Sequence, residues 1–228
     1  YFDFTGTSSQ VKTAINNVPS SATSAVMFGI RTLTGDASPD NEGGFRPVSI
    51  YFPKGSIVNP YFPAPVASRS VSLRRVVDVI LGVLSKALPH KYPAANCGQA
   101  SVIYCGTTNE LNNETIVGAI GGPWMGGMGA RPNKDGIDAT DHDASNVYHV
   151  PLEVSEAELP IRFNRMELWM DSGGAGKWRG GLGFYSEVEW LKGKAGASLR
   201  RDRHKFKPWG LAGGHSGPEC STALKRKH

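Results

Sequence analysis

The sequence predicts an α+β fold with mixed or largely antiparallel sheets and a few packed helices. Two long segments carry apolar residues at helical spacing, and several short segments alternate apolar and polar residues as strands do. The 28 glycines and 15 prolines among 228 residues indicate many tight turns and few long helices. A hydrophobic content of 39% is typical of a globular chain with a core, so the sequence does not predict a disordered protein.

Two helices are predicted. The first covers residues 20–33, where a serine at either of the first two positions can cap the start and Gly29 can allow close packing. The second covers residues 70–88, ends before Pro89 and is core-facing, so no chemistry is expected on it. Their apolar faces comprise Ala22, Ala25, Val26, Ile30 and Leu33 in the first helix and Leu73, Val76, Val77, Ile80, Val83, Leu84 and Ala87 in the second.

Short strands are predicted between and after these helices, and a chain of this composition belongs to the α+β class. The strands cover residues 1–5, 47–52, 101–105, 115–120, 147–150, 165–170 and 184–190. Residues 35–44 are expected to form a loop, and residues 59–65, with three prolines, an extended segment. The last strand alternates most regularly, with Phe184, Ser186, Val188 and Trp190 on one side and Tyr185, Glu187 and Glu189 on the other.

The most informative segment covers residues 171–183, where six of the thirteen residues are glycine. Glycine lets the backbone adopt positive φ and lets a ligand approach the main chain closely. Exposed N–H groups beside Lys177 and Arg179 would suit an anionic ligand. The alternative is a glycine-rich turn between two strands, with both cations solvated.

Neither of the common nucleotide-binding motifs is present. The P-loop requires Gly-Lys followed by Ser or Thr, and here Gly176 and Lys177 are followed by Trp178. Residues 127–132 do not complete the G-x-G-x-x-G dinucleotide motif. Direct nucleotide binding is therefore not inferred from the sequence.

Composition and charge argue against several other classes of protein. No apolar run reaches about 18 residues, so no membrane span is expected. Three cysteines without metal-ligand spacing favour a reducing, cytoplasmic location. Ten lysines and arginines lie within residues 192–228, but base-stacking aromatics are sparse there, so a solvated or partner-facing surface is favoured over nucleic-acid binding. Because the chain lacks a starting Met and opens within a predicted strand, we expect it to be part of a larger subunit.

Several motifs, in their order along the chain, resemble those of the hydantoinase B/oxoprolinase family. The resemblance extends to about Gly217, whereas residues 218–228 form a divergent basic tail, and the sequence is accordingly divided into 1–217 and 218–228. The motifs are DFTGTS at 3–8, NEGGFRP at 41–47, PKGSIVNP at 53–60, PAPV at 63–66, DGID at 135–138, Asn146, PLE at 151–153 and the glycine-rich segment 171–183.

The resemblance implies part of the B-type subunit of an ATP-dependent cyclic-amide hydrolase, of the 5-oxoprolinase or hydantoinase type. An A-type partner would bind ATP with Mg²⁺ and activate the cyclic amide, or a ketone enolate, through a phosphorylated intermediate. The B-type subunit would then support ring opening by water. Two alternatives stay open, namely an ATP-dependent ketone carboxylase subunit that uses bicarbonate and a non-catalytic assembly module.

The resemblance also implies a divalent metal such as Zn or Mn. Family B-type chains are longer than this one, and most of the metal ligands are expected in the N-terminal half that is absent here. The present chain is therefore expected to be inactive alone.

The glycine-rich segment carries the first candidate site. Asp171 could orient water or a ring N–H, and Ser172 is a candidate substrate-binding residue. Lys177 and Arg179 could hold the phosphate or carboxylate of the activated intermediate. The alternative is a structural turn at the interface with the partner protein.

A second candidate site is a cluster of metal-ligand side chains. Imidazole and carboxylate together suit Zn, Mn or Fe, but neighbours in sequence rarely all reach one ion. The alternative is an acidic surface loop with Asp side chains making local turns. The family usually carries histidines where this chain has acids. The candidate ligands are Asp138, Asp141, His142 and Asp143.

Two further candidates lie outside these clusters. Asn41 and Arg46 are candidate substrate-binding residues on a glycine loop, and the alternative is an internal salt bridge between Glu42 and Arg46 that fixes a turn. Glu153, if buried, could act as a general base. Because other acids follow it closely in the sequence, a solvated acidic face is the alternative there. His149 is expected to be a packed or edge residue.

Overall fold

The computed structural model describes residues 1–35, 41–98, 101–108, 114–124 and 126–226, with the backbone alone for 121–124. The chain divides into two compact units, Tyr1–Tyr92 and Pro93–His228. Both units combine helices with strands, and antiparallel pairing predominates, so the predicted α+β class is confirmed. Part of the predicted loop at 35–44 lies outside the described residues. The division at residue 217 stays a prediction.

The elements of the first unit are the helices α1 (Pro19–Thr34), α2 (Glu42–Phe45) and α3 (Arg69–Ala87) and the strands β1 (Phe2–Asp3) and β2 (Ile50–Tyr51), which pair in parallel. The two helices predicted from periodicity are confirmed as α1 and α3. The predicted serine cap of α1 is wrong, because the helix begins at Pro19, so that Ser20 and Ser21 lie within its first turn and not at the cap position. Val18 occupies the cap position without a side-chain hydrogen bond.

Helices α1 and α3 pack closely at Gly29. A Cβ atom on Gly29 would lie 2.5 Å from Cγ2 of Ile80, so only glycine lets the two helices approach this far. The predicted role of Gly29 is thereby confirmed. The core that the two helices share contains Ala25, Val26, Val77, Ile80, Leu81 and Tyr92.

The buried stripe of α3 differs from the predicted apolar face. Asp78 and Ser85 are buried, whereas Val83, which was assigned to the core, is 59% exposed. The reason is geometric, because positions 77, 81 and 85 follow one another at about one helical turn and position 83 lies on the opposite side. Asp78 forms an ion pair of 2.7 Å with Arg75, one turn earlier in the helix. The expectation that α3 carries no chemically notable residue therefore missed a buried carboxylate.

The elements of the second unit are β3 (Ser101–Thr108), β4 (Thr115–Trp124), α4 (Leu152–Glu158), β5 (Ile161–Leu168), β6 (Phe184–Trp190) and β7 (Ala195–Arg200). One antiparallel sheet has the strand order β4-β3-β7, and a second antiparallel sheet consists of β5 and β6. None of the helices in the described part of the chain combines the length and the apolar content of a membrane span.

The predicted alternation of β6 is confirmed by the packing. Phe184, Val188 and Trp190 pack against the core of the second unit, and the intervening acids of β6 face the other way. The buried centre of this core consists of Cys105, Ile120, Leu159 and Ile161.

Three elements of the second unit were predicted wrongly or missed. Residues 147–150 were predicted as a strand but form none, and Tyr148 within them is 83% exposed, because no strand of the described residues pairs with this short apolar run. Helix α4 was missed, although Pro151 at its start and an acid in its first turn are a helix signal. Strand β7 has small residues with little strand propensity and forms through its pairing with β3.

Candidate functional site

The glycine-rich segment forms the connection between β5 and β6. Its backbone is hydrogen bonded to a second loop, residues 126–140, at three points. Gly136 N–H donates to the Arg179 carbonyl, Gly181 N–H to the Met128 carbonyl and Ala139 N–H to the Leu182 carbonyl, each at 2.8 Å. The two loops therefore form one backbone-paired layer. The segment is a turn between two strands, as the alternative predicted, but Arg179 pairs with Asp138 and is not the solvated cation that was expected.

Close backbone packing is the reason for glycine in this layer. A Cβ atom on Gly127 would lie 1.9 Å from the carbonyl oxygen of Gly181, and a Cβ atom on Gly181 would lie 2.0 Å from that of Ile137. The glycines of residues 171–183 do not adopt positive φ, whereas Asp171 does, with φ of 61°. The close approach that was expected of a ligand is thus made by the backbone of the second loop.

Arg179 is held by two carboxylates of the second loop. Its backbone N–H donates to Oδ1 of Asp135 at 2.7 Å, and its Nη1 lies 3.0 Å from Oδ1 of Asp138. The same Asp138 oxygen accepts the N–H of Leu182 at 2.7 Å. This backbone hydrogen bond, followed by the hydrogen bond from Arg179, holds the pKa of Asp138 below its ordinary value. We call Asp135, Asp138 and Arg179 the clamp.

Ser172 closes the base of the glycine-rich loop. Its hydroxyl donates to the Trp169 carbonyl at 2.6 Å and accepts the N–H of Gly183 at 2.8 Å. The side chain is buried, and both hydroxyl functions serve the loop itself. These contacts favour a structural role over the predicted substrate contact.

Lys177 lies at the exposed tip of the loop. Its ammonium is 5.9 Å from the centre of the Trp178 ring, and neither residue is held by the clamp. In the portion of the chain that the structure describes, the backbone N–H groups of residues 175–178 make no hydrogen bond. Asp171, at the other end of the loop, is also exposed. The tip therefore offers one cation and several N–H donors to solvent.

The four predicted metal ligands do not fit a single ion as a set. Asp138 belongs to the clamp, and the two oxygens of Asp141 accept the N–H groups of His142 at 2.8 Å and Val147 at 3.2 Å. Nδ1 of His142 accepts the N–H of Ala144 at 3.2 Å, so this ring nitrogen serves the loop itself.

The burial of this acidic loop also contradicts the alternative prediction of an acidic surface loop. Asp141 is 8% exposed and His142 is 1% exposed, so the loop is not a surface loop, although Asp141 does make the local turn that was expected. Oδ1 of Asp143 accepts a hydrogen bond of 3.1 Å from the buried amide of Asn96. Backbone amides and the Asn96 side chain thus contribute to fixing this loop.

Glu153 does not have the burial that a general base with a tuned environment requires. It lies in the first turn of α4 and is exposed, as are Glu156 and Glu158. Glu156 accepts the backbone N–H of Phe163 at 2.7 Å. The premise of a buried glutamate is therefore wrong, and the structure matches the solvated acidic face. His149 packs edge-on at 6.5 Å from the Phe184 ring, as a packed residue was expected to do.

Asn41 and Arg46 lie in the first unit, at the two ends of α2. The Asn41 side chain accepts the N–H of Gly44 at 3.4 Å and caps the helix. Arg46 is exposed at the end of the same helix. Among the residues with described positions, Glu42 and Arg46 form no ion pair, so the predicted internal salt bridge is wrong. Instead, Asn41 caps the helix and Arg46 is exposed to solvent.

Sequence reasoning missed several residues that organise the second unit. Arg203 is buried and donates to the carbonyls of Asn96 at 2.9 Å, Cys97 at 3.3 Å and Lys207 at 3.2 Å. No periodicity marks it within the basic C-terminal segment. Asp135 lies within the DGID motif, and that motif was the available signal for the clamp.

Comparison with known proteins gives consistent matches. A model of the hydantoinase B/oxoprolinase family matches residues 1–228. The B-type subunit of the putative D-/L-hydantoinase of Pseudomonas sp. (strain NS671) is 36% identical over 98% of this chain and 38% of that protein. The 5-oxoprolinase of Dictyostelium discoideum is 29% identical over 94% of this chain and 16% of that protein. The chain thus spans less than two fifths of the length of either relative.

Two solved structures share the fold. Acetone carboxylase in its nucleotide-free form matches with a TM-score of 0.76 and 22% identity over 96% of this chain and 30% of that chain. The ATP-dependent caprolactamase from Pseudomonas jessenii matches with a TM-score of 0.74 and 26% identity over 89% of this chain and 36% of that chain. At 22% identity, the similarity to acetone carboxylase is a similarity of fold.

Proposed function

The chain belongs to the hydantoinase B/oxoprolinase family, and we propose that it is part of the B-type subunit of an ATP-dependent cyclic-amide hydrolase, of the hydantoinase or 5-oxoprolinase type. The observation that carries the proposal is the 36% identity with the B-type hydantoinase chain of Pseudomonas sp. over 98% of this chain. The 26% identity with a caprolactamase supports it, because that protein is named for a cyclic amide.

The proposal includes a partner that binds the nucleotide. The hydantoinase relative is one subunit of its enzyme, which supports an assembly with an A-type chain, and the caprolactamase is described as ATP-dependent. The sequence of this chain lacks the P-loop and dinucleotide motifs. ATP and Mg²⁺ are therefore assigned to the A-type partner, in a cytoplasmic setting.

The proposed role of this chain follows from the chemistry of amides. An amide carbonyl is a weak electrophile, and phosphorylation with ATP supplies the activation that water attack needs. The ammonium of Lys177 meets the negative charge of the activated substrate at the loop tip. Asp171 orients the attacking water, and Arg179 acts through the clamp. A divalent metal such as Zn or Mn stays part of the proposal, with most of its ligands in the portion of the longer relatives that this chain does not cover, and no step is routed through it.

Two alternative functions stay open. The first alternative is a ketone carboxylase subunit that uses bicarbonate, and acetone carboxylase shares its fold with this chain. The structural contacts of Ser172 and the clamp favour a non-catalytic module that shapes the interface with the partner. In the first case turnover requires bicarbonate, and in the second case loop variants affect assembly instead of turnover.

The test uses the full-length parent protein together with its A-type partner. ATP hydrolysis is measured with 5-oxoproline, with a hydantoin and with acetone plus bicarbonate, for the wild type and for Lys177→Ala. We expect turnover with a cyclic amide, and we expect Lys177→Ala to reduce it at least about tenfold, because a charge-assisted contact to the activated substrate is lost. Complex formation, measured by size-exclusion chromatography, should be unchanged.

Lys205→Ala is the matched control. Lys205 is an exposed lysine of the same unit whose ammonium lies 5.7 Å from the ring of the next residue, Phe206, as Lys177 lies near Trp178. It should leave turnover unchanged. Bicarbonate-dependent turnover with acetone would instead favour the carboxylase, and full activity of Lys177→Ala would remove Lys177 from the mechanism.

A further inference from the structure

The two halves of the glycine-rich loop differ in how they are held. Residues 179–182 are bound to the second loop by the clamp and by backbone hydrogen bonds. The backbone N–H groups of residues 175–178 make no hydrogen bond within the described structure, although the Ala175 carbonyl accepts the His215 N–H at 2.8 Å, and Lys177 is exposed to solvent. The positively charged tip, residues 175–178, therefore lies directly before Arg179 in the sequence and outside the residues that the clamp holds.

Arg131 holds Asp135 of the clamp in place through its backbone carbonyl. The Arg131 guanidinium donates two hydrogen bonds to the Asp135 carbonyl, from Nε at 3.0 Å and Nη2 at 2.7 Å. Asp135 then accepts the backbone N–H of Arg179, and Asp138 accepts both its guanidinium and the N–H of Leu182. These contacts fix the backbone at the C-terminal side of the tip, and on its N-terminal side the His215 N–H donates to the Ala175 carbonyl at 2.8 Å.

The positive charge of Arg179 is largely compensated within the clamp. Nη1 donates to Asp138 and also to the Gly180 carbonyl at 2.7 Å. A guanidinium already paired with a carboxylate offers less net attraction to an anion than a lone ammonium does. Lys177 is therefore the cation of this loop that remains for a ligand.

We propose that Asp135 and Asp138 are positioning residues that lock the glycine-rich loop so that Lys177 and the N–H groups of residues 175–178 bind a phosphate or carboxylate group. This inference rests on the proposed function, in which that anion belongs to the activated substrate. Arg179 is part of the lock and does not contact the ligand. The ligand class is a small tetrahedral or planar oxyanion, which several N–H donors and one ammonium recognise.

Electrostatics and positioning make opposite predictions for Asp138→Ala. This change removes a negative charge and frees Arg179, so Coulomb attraction alone would make an anion bind more tightly. If the carboxylate instead positions the loop, the anion should bind more weakly. The probe is inorganic phosphate, and its dissociation constant is measured by calorimetry on the full-length parent protein, without turnover.

We expect phosphate to bind about tenfold more weakly to both Lys177→Ala and Asp138→Ala than to the wild type. Hydrogen exchange of the Gly181 and Leu182 amides should become faster in Asp138→Ala and stay unchanged in Lys177→Ala. If Asp138→Ala does not fold, Asp138→Asn, which keeps the shape but loses the ion pair, should weaken binding by a smaller factor.

Glu167→Gln is the control for the loss of an ion pair. Glu167 pairs with Arg165 on β5, with both side chains more exposed than the Arg179–Asp138 pair, and the change should leave phosphate binding unaltered. Unchanged or tighter phosphate binding in Asp138→Ala would overturn the inference, and so would unchanged binding in Lys177→Ala. If these binding results hold but the wild type opens no cyclic amide, the proposed function fails while the anion site stands.

Discussion

At the scale of single residues, Asp138 shows how a side chain that resembles a metal ligand can serve the fold. One of its oxygens accepts two hydrogen bonds, from Leu182 and Arg179, and thereby joins two loops. A carboxylate that satisfies a backbone amide and an arginine is stabilised in its charged form. The same hydrogen bonds make its protonation unfavourable for the folded state.

The stability of the protein should therefore depend on pH through Asp138. Its pKa is lowered in the folded state, so its contribution is present above the unfolded value of about 3.9 and is lost as the pH falls through the lower folded pKa. We expect the difference in unfolding free energy between wild type and Asp138→Asn to be constant above about pH 5 and to shrink below about pH 4. Urea unfolding at a series of pH values measures it.

A difference that stays constant down to the most acidic pH at which the protein folds would contradict this account. The comparison is specific, because Asp3, whose pKa is also lowered by hydrogen bonds to Thr5, titrates in both proteins and cancels.

At the scale of elements, glycine determines two packing distances. In α1 the absence of a side chain at Gly29 admits Ile80 of α3, and in the paired loops Gly181 admits the backbone of Ile137. The two sites differ in what a new methyl group would meet. At Gly29 it meets a side chain, whereas at Gly181 it meets a carbonyl oxygen that hydrogen-bonded backbone holds in place.

Gly29→Ala should destabilise the first unit by about 1–2 kcal/mol, because overpacking against Ile80 exceeds the gain in helix propensity of about 1 kcal/mol. Urea unfolding of the full-length protein measures the change. Ser24→Ala, at an exposed position of the same helix, is the control and should be nearly neutral. A stabilised Gly29→Ala protein would mean that the helices separate without cost.

Gly181→Ala should be more damaging than Gly29→Ala. The new Cβ atom would lie 2.0 Å from the Ile137 carbonyl oxygen, so the loops must part and lose their hydrogen bonds, at a cost above about 3 kcal/mol. Gly196→Ala on β7 is the matched control, because no atom lies within 4 Å of its added Cβ. Thermal unfolding compares the two variants, and equal melting temperatures would contradict the close packing of the loops.

At the scale of the whole molecule, the chain consists of two compact units and spans less than two fifths of its relatives. Its proposed activity is therefore an activity of the parent protein and its partner. The candidate residues are divided between the units, with Asn41 and Arg46 in the first and the remaining nine in the second. Within the second unit, Ser172, Lys177 and Arg179 lie on the glycine-rich loop, and Arg179 joins that loop to Asp138.

Local spacing was sufficient to predict several elements. The helical repeat predicted α1 and α3, and strict alternation predicted β6 to the residue. Each of these elements has a periodic pattern whose buried face is set by a core nearby. Where the pattern was short or composed of small residues, as at 147–150 and in β7, pairing with a distant strand decided the outcome.

The sequence by itself determined the family, the fold class and the position of the unusual glycine-rich segment, because motifs and periodicity are local properties of the chain. Only the tertiary structure decided what those glycines and charges do. Asp138 and Arg179 are 41 residues apart, and their pairing depends on two loops that meet through backbone contacts no local pattern encodes. Burial likewise placed Asp78 and His142 inside the protein and Glu153 outside, because burial depends on the packing of the whole fold.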